Sequence, residues 1–185
     1  MQSGTTSTDL GHPAHEPFFW LKQAAELDRV AMLIWTAMRS DLERMSQSPV
    51  GAVLELQEIP YANLGGVFWL NAGLALENLF KGIIIQGNPN CVVNGFVTKA
   101  LKTHNLLKLA KQASFDLDVM DAFFLSVGTE CVMWAGRYPC STKADETAPP
   151  VFSEGDVIAY KRLFDRLACR FDAHLSRSVT FKRVT

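Results

Sequence analysis

The sequence predicts an all-α fold, and three observations carry the prediction. Apolar residues recur at three- and four-residue steps in most blocks of the chain, and one further block is apolar nearly all round. Clusters of Gly and Pro at 11–17, 49–51, 60, 87–95 and 139–155 separate five such blocks. The alternation of a half-buried strand competes only over 178–184. Together these give an up-and-down bundle of about five helices. A disordered N-terminal tail over 1–17 precedes the helical domain at 18–176, and a basic tail over 177–185 follows it.

The first block, 18–45, places Leu27, Val30, Ile34, Met38, Leu42 and Met45 on one stripe. Asp28, Arg29, Arg39, Asp41, Glu43 and Arg44 mostly fill the other side, and Ser46, Ser48 and Pro49 end the helix. Residues 50–59 read as an irregular segment or a short helix before Pro60. The second block, 61–86, is the most buried helix, with Glu77 and Lys81 as its only charges. They stand i, i+4 with Glu first, the better order for an ion pair on a helix. Gly87-Asn88-Pro89-Asn90 reads as a turn.

A third, shorter helical region covers 96–113, with Thr103 placed to cap a fresh helix at His104. The fourth, 117–136, starts at a cap on Asp116 or Asp118 and traces a stripe of Val119, Phe123, Ser126, Val127, Cys131 and Trp134. The polar stretch 141–150 is a loop. Ser153 and Asp156 then stand at capping-box spacing before the fifth helix, 154–175. Its stripe is Val157, Tyr160, Phe164, Leu167, Phe171 and Leu175.

Composition narrows the function classes. Of 185 residues, 48% are apolar and 20% charged, which supports a core and excludes wholesale disorder. A net charge of −1 excludes a generally basic nucleic-acid coat protein and leaves room for a local basic patch. Cys91, Cys131, Cys140 and Cys169 show neither a C-x-x-C nor a zinc-ligand spacing and read as reduced small hydrophobes. Residues 1–17 have no apolar core of a signal peptide. The run 64–85 is long enough to span a bilayer, but Glu77 and Lys81 inside it favour a buried helix. The expectation is a cytoplasmic protein with no membrane contact.

The chemistry-bearing motifs are few. The sequence has no Walker A loop, G-x-G-x-x-G, H-E-x-x-H, EF-hand loop or Glu-x-x-His pair, so neither a metal nor another cofactor is expected. Three polar features stand out: Glu77 with Lys81, His104-Asn105, and Arg137-Tyr138-Pro139 after Trp134. Each has a structural reading: an internal ion pair, a helix-start histidine, and an arginine serving helix-terminal carbonyls. Together, in a groove between the second, third and fourth helices, they suit metal-free phosphodiester chemistry. His104 would move a proton, and Arg137 would hold a phosphate and its developing charge. In RNA the 2′-hydroxyl is the internal nucleophile.

The segment Asn71-Ala72-Gly73-Leu74-Ala75-Leu76-Glu77-Asn78-Leu79-Phe80-Lys81-Gly82 resembles the A-x-E-x-x-L-K-A/G helix of HEPN-domain proteins. Thr103-His104-Asn105-Leu106-Leu107-Lys108-Leu109 resembles that family's G-H-D/N-L-x-x-L segment, and Trp134-Ala135-Gly136-Arg137-Tyr138-Pro139 its W-x-x-R-Y-P ending. The three occur in the family's order across roughly 61–175. The resemblance implies a HEPN-like helical bundle, often a homodimer, linked to bacterial RNA cleavage, toxin–antitoxin pairs or phage defence. It also implies a nucleotidyltransferase-like protein partner, or an RNA or nucleotide ligand. Catalytic members share an R-x(4–6)-H motif near the dimer interface, and this chain departs from it. Tyr138 to Ala144 contain no His, and the Arg170–His174 pair is one residue short. The leading expectation is therefore a non-catalytic member with a binding or regulatory role, with Glu77, Lys81, Asn105 and Tyr138 as binding residues. A metal-independent endoribonuclease using Arg137 and His104 is the alternative. A purely structural or interaction bundle, with Phe18, Phe19 and Trp20 as an exposed anchor, is a third. Convergence of Lys81, Lys99, Lys102, Lys108, Lys111, Arg137 and Lys143 on one surface would favour RNA.

Overall fold

Pro17 fits the first turn of a helix, where its missing N–H costs nothing, and it opens α1 (Pro17–Gln47). The computed structural model describes residues 12–49, 64–135 and 152–180, with side chains described through 133 in the second stretch and 172 in the third. Among the described residues the fold is all-α, with five α-helices and one minimal β-hairpin. Residues 1–11, 50–63, 136–151 and 181–185 lie outside this description.

The core-facing side of α1 is Ala24, Ala31, Trp35 and Met38. Val30, Leu42 and Met45, expected on the stripe, are exposed. Apolar residues border the seam on both sides, and the small Ala24 and Ala31 admit the neighbouring helix where Val30 would hold it off. That neighbour is α2 (Gly65–Gly87), packed along α1 and buried on most of its circumference, as its composition predicts. It is long and apolar enough to cross a bilayer, yet most of its apolar window is buried inside the fold. Two glycines permit this burial. A Cβ on Gly73 would lie 2.6 Å from Val132 Cγ2, and one on Gly82 would lie 2.5 Å from Phe171 Cε2.

The chain after α2 corrects the predicted third helix. A 3-10 turn at Pro89–Cys91 leads into an antiparallel hairpin of β1 (Val92–Val93) and β2 (Phe96–Val97). Asn94 and Gly95 both have positive φ, 52° and 76°, which is the two-residue turn that Asn-Gly favours. A second 3-10 turn, Lys99–Leu101, precedes α3 (Leu106–Gln112). The cap of α3 is Asn105 rather than Thr103: Asn105 Oδ1 accepts from the Lys108 N–H at 2.8 Å. Thr103 instead accepts from the Asn105 N–H at 3.2 Å, so His104 sits in the approach to the helix, outside it.

The helix α4 (Val119–Glu130) continues as a π-helical turn, Cys131–Ala135. Asp118 caps it in a reciprocal box with Asp121, and the cap hydrogen bonds hold the Asp118 carboxyl below its usual pKa. The expected stripe holds in part: Val127 and Cys131 are buried, Val119, Phe123 and Ser126 are exposed, and Asp121, Phe124, Leu125 and Gly128 also face inward. The cause is α5 (Glu154–Thr180), whose arginines draw Asp121 inside. Arg166 Nη1 donates a short hydrogen bond to Asp121 Oδ2, and Arg162 Nη2 donates to Asp121 Oδ1 at 3.1 Å and Asp118 Oδ2 at 2.8 Å. Residues Val157, Tyr160, Phe164, Leu167 and Phe171 of α5 are buried as the spacing predicts; the side chain of Leu175 lies outside the described residues. Asp156 accepts from the Ser153 N–H at 2.7 Å, the expected pairing. Tyr160 donates to Asp28 Oδ1 at 2.8 Å, tying α5 to α1. Burial and that carboxylate raise the Tyr160 phenol far above its ordinary pKa.

Parts of both predicted tails are secondary structure. Residues 12–16 carry a 3-10 turn, Pro13–His15, whose Ala14 carbonyl accepts from Trp20 Nε1 at 3.1 Å. The His12 ring lies against Gly95, where a Cβ would stand 2.8 Å from His12 Cδ2. At the other end α5 runs through Thr180, so 177–180 is helix, neither tail nor strand.

Candidate functional site

The polar pair in α2 is buried and closed on itself. Glu77 Oε1 accepts from Lys81 Nζ at 2.6 Å, one helical turn on. Glu77 Oε2 lies 2.9 Å from His104 Nδ1, which arrives from the segment before α3. Two hydrogen bonds fix that segment, one of them to α4. The Leu106 N–H donates to Thr129 Oγ1 of α4 at 3.0 Å, and Gln112 Nε2 donates to the Ala100 carbonyl at 3.4 Å. Glu77 and Lys81 are buried, while the His104 side chain is 52% exposed.

Geometry fixes the role of each His104 nitrogen. A carboxylate can only accept, so Nδ1 carries the hydrogen shared with Glu77, and in the neutral ring Nε2 holds the lone pair. Lys81 balances the buried carboxylate, and both groups are spent on each other. Lys81 is therefore not a cation available to a ligand. Asn105 is likewise engaged, as the cap of α3. Arg137 and Tyr138, the other expected site residues, lie outside the described residues. The structure thus joins Glu77, Lys81 and His104 in one cluster and leaves the Arg137–His104 approach outside the description.

The short Arg170–His174 pairing loses its arginine to another task. Arg170 donates to the Ser114 carbonyl at 2.9 Å and the Ala113 carbonyl at 2.7 Å, closing the end of α3. A cleft of about 480 Å³ lies beside it, lined by Phe115, Asp116, Asp165, Arg166, Cys169 and Arg170. Its two guanidinium groups are committed to Asp121 and to main-chain carbonyls, so they are poor anchors for an anion. Cys91, Cys131 and Cys169 are free thiols, Cys140 lies outside the described residues, and burial pushes the Cys131 thiol up to about 12.

A second feature belongs to the stretch of sequence that contains His104. From 78 to 115 the sequence contains no Asp or Glu, although the chain holds 19 of them. Within that stretch Lys99, Lys102, Lys108 and Lys111 are all exposed, and none forms an ion pair among the described residues. Lys108 and Lys111 share a face of α3, and the Gln112–Ala100 hydrogen bond sets the end of α3 beside Lys99. Lys99, Lys108 and Lys111 are thus brought to one side of α3, Lys102 is exposed just after the Lys99–Leu101 turn, Lys81 is withdrawn into the core, and Arg137 and Lys143 lie outside the described residues. The absence of acids between Glu77 and Asp116 is the sequence signal for this surface.

The chain matches no protein-family model, no curated protein and no solved structure. The functional reading therefore rests on the cluster at His104 and the lysines around it. Among the described residues no group of His, Cys, Asp and Glu has the geometry of a metal site.

Proposed function

We propose that this chain is a HEPN-like helical protein with a binding or regulatory role, and that its ligand is RNA. One observation carries the reading: the half-exposed His104 lies in a stretch, 78–115, that has no acid and four exposed lysines, none of which forms an ion pair among the described residues. A lysine without a carboxylate partner keeps its charge for phosphate, and each phosphate it neutralises releases bound counterion. The whole chain carries only −1, so the attraction is local to that surface. The resemblance of the α2, His104 and Trp134–Pro139 segments to HEPN proteins adds a setting: bacterial defence or a toxin–antitoxin pair, a homodimer, and a nucleotidyltransferase-like partner.

A metal-independent ribonuclease is the second reading, favoured by the Glu77–His104 hydrogen bond. In it, Nε2 of His104 takes the 2′-hydroxyl proton, the freed oxygen attacks the adjacent phosphorus, and the 5′-oxygen leaves to give a 2′,3′-cyclic phosphate. Arg137 would hold the phosphate, and a solvent proton would complete the leaving group. The buried Glu77–Lys81 pair by itself fits the purely structural reading equally well.

One experiment separates the three. A fluorescein-labelled unstructured RNA is titrated with the purified chain in EDTA, followed by anisotropy and then by a denaturing gel. Binding of intact RNA is the expected result. Cleavage that His104→Ala and Arg137→Ala each abolish would replace it with the ribonuclease reading. No anisotropy change at low salt would leave the structural bundle.

A further inference from the structure

The hairpin after α2 presents an aromatic ring to solvent at the border of the lysine surface. Val93 and Phe96 are cross-strand partners, so their side chains share a face. Both are exposed, Phe96 at 73%. Their neighbours Val92 and Val97 form the opposite face, and Val92 is buried. The ring is held on a stiff support. The Asn94-Gly95 turn is closed beneath by His12, and the Thr98 N–H donates to the Cys91 carbonyl at 2.8 Å. Lys99 follows Phe96 within about 11 Å of chain. The Gln112–Ala100 hydrogen bond continues the surface to Lys111.

An exposed ring beside unpaired lysines offers two kinds of contact to one ligand. The lysines take phosphates, and the ring face takes the face of a base, which is free only where the strand is unpaired. In a duplex the bases are already stacked, so the ring gains nothing from them. Charge favours RNA as the occupant: it brings one negative charge per nucleotide to these lysines, whereas a second copy of this chain has a net charge of only −1. We propose that Phe96 is a stacking platform for an unpaired base, so that the chain selects single-stranded over duplex RNA. The inference rests on the RNA-binding reading and names the form of RNA that its surface takes.

The test compares the full chain with Phe96→Ala and Phe96→Trp. Each is titrated against a labelled single strand of about 16 nucleotides and against the same strand annealed to its complement. Circular dichroism checks that each variant is folded. The wild type should bind the single strand more tightly than the duplex. Phe96→Ala should weaken single-strand binding about tenfold, the order of one lost stack. Its affinity for the duplex and the salt dependence of binding should not change. Phe96→Trp should retain the preference. Equal binding of strand and duplex, unaffected by Phe96→Ala, would overturn this inference and leave the RNA reading standing. Binding of neither would overturn both. A concentration-dependent dimer in sedimentation that Phe96→Ala abolishes, with single-strand affinity unchanged, would assign Phe96 to a second copy and overturn the inference.

Discussion

The arginines of α5 and the lysines around α3 carry the same charge and lead opposite lives. Arg162, Arg166 and Arg170 stand one turn apart, and each reaches a carboxylate or carbonyl at the start of α4 or the end of α3. Arg166 and Arg170 also lie over the Phe115 ring, with guanidinium-to-centroid distances of 5.0 and 5.6 Å. Lys99, Lys102, Lys108 and Lys111 reach no acid among the described residues. The planar, five-donor guanidinium suits fixed geometry, and the hydrated ammonium on a flexible stem suits a ligand that arrives later. The difference teaches that charges of one sign divide here between cations that hold the fold and cations left to solvent. Only the second group is free to serve the proposed RNA ligand.

The sharpest way to break the first half of that contrast is Asp121→Ala. It strands two arginines at a carboxylate site that is 1% exposed. Because Arg162 and Arg166 keep access to water, the expected loss is about 3 kcal/mol, the low end for a broken buried pair. Urea unfolding measures it, and RNA affinity should not change. Gly73→Ala tests the close approach of α2 to the end of α4. Its Cβ would meet Val132 Cγ2 at 2.6 Å and the Gly128 carbonyl at 3.1 Å, and the expected loss is about 2 kcal/mol.

Alkali sharpens the account of the core. The buried Cys131 thiol is pushed up to about 12 from an ordinary value near 9, and Tyr160 is raised too. The unfolded chain therefore loses these protons first, so stability is full below about pH 9 and falls above it. Cys131 alone should remove about 1.4 kcal/mol by about pH 10, measured by denaturation across pH. His104→Ala removes a hydrogen bond at a half-exposed site while the Glu77–Lys81 pair stays, so about 1 kcal/mol is expected. The smallest effect on stability belongs to Lys108→Glu combined with Lys111→Glu, within about 0.5 kcal/mol, because both side chains are exposed and form no ion pair among the described residues, and a Glu in the first turn of α3 offsets one in its last.

What the sequence made legible follows the range of each interaction. The stripe of α5, the Asp118 cap, the Ser153–Asp156 pair and the Glu77–Lys81 pair are set within one or two helical turns, and local spacing reveals them. The face of α1 was ambiguous because Val30, Leu33, Ile34 and Trp35 offer overlapping stripes, and only packing against α2 selects among them. The face of α4 carries a polar residue, Asp121, made inward by arginines 41 and 45 residues away. The hairpin escaped because two-residue strands are too short to show alternation, although Asn94-Gly95 between valines and Phe96 is a strong turn signal. At the candidate site, His104 and Glu77 were visible as separate oddities. Their hydrogen bond spans 27 residues and depends on how α3 is anchored to α4.

The most direct test of the central claim is the salt dependence of RNA affinity, measured for the wild type and for the Lys108→Glu, Lys111→Glu double variant between about 50 and 200 mM salt. Removal of two phosphate contacts should lower the slope of log affinity against log salt by about 1.4 to 1.8. Affinity at the lower salt should fall at least about tenfold, with stability unchanged. Equal slopes and equal affinities in the two proteins would contradict the account, because the lysines of α3 would then be ordinary solvated surface.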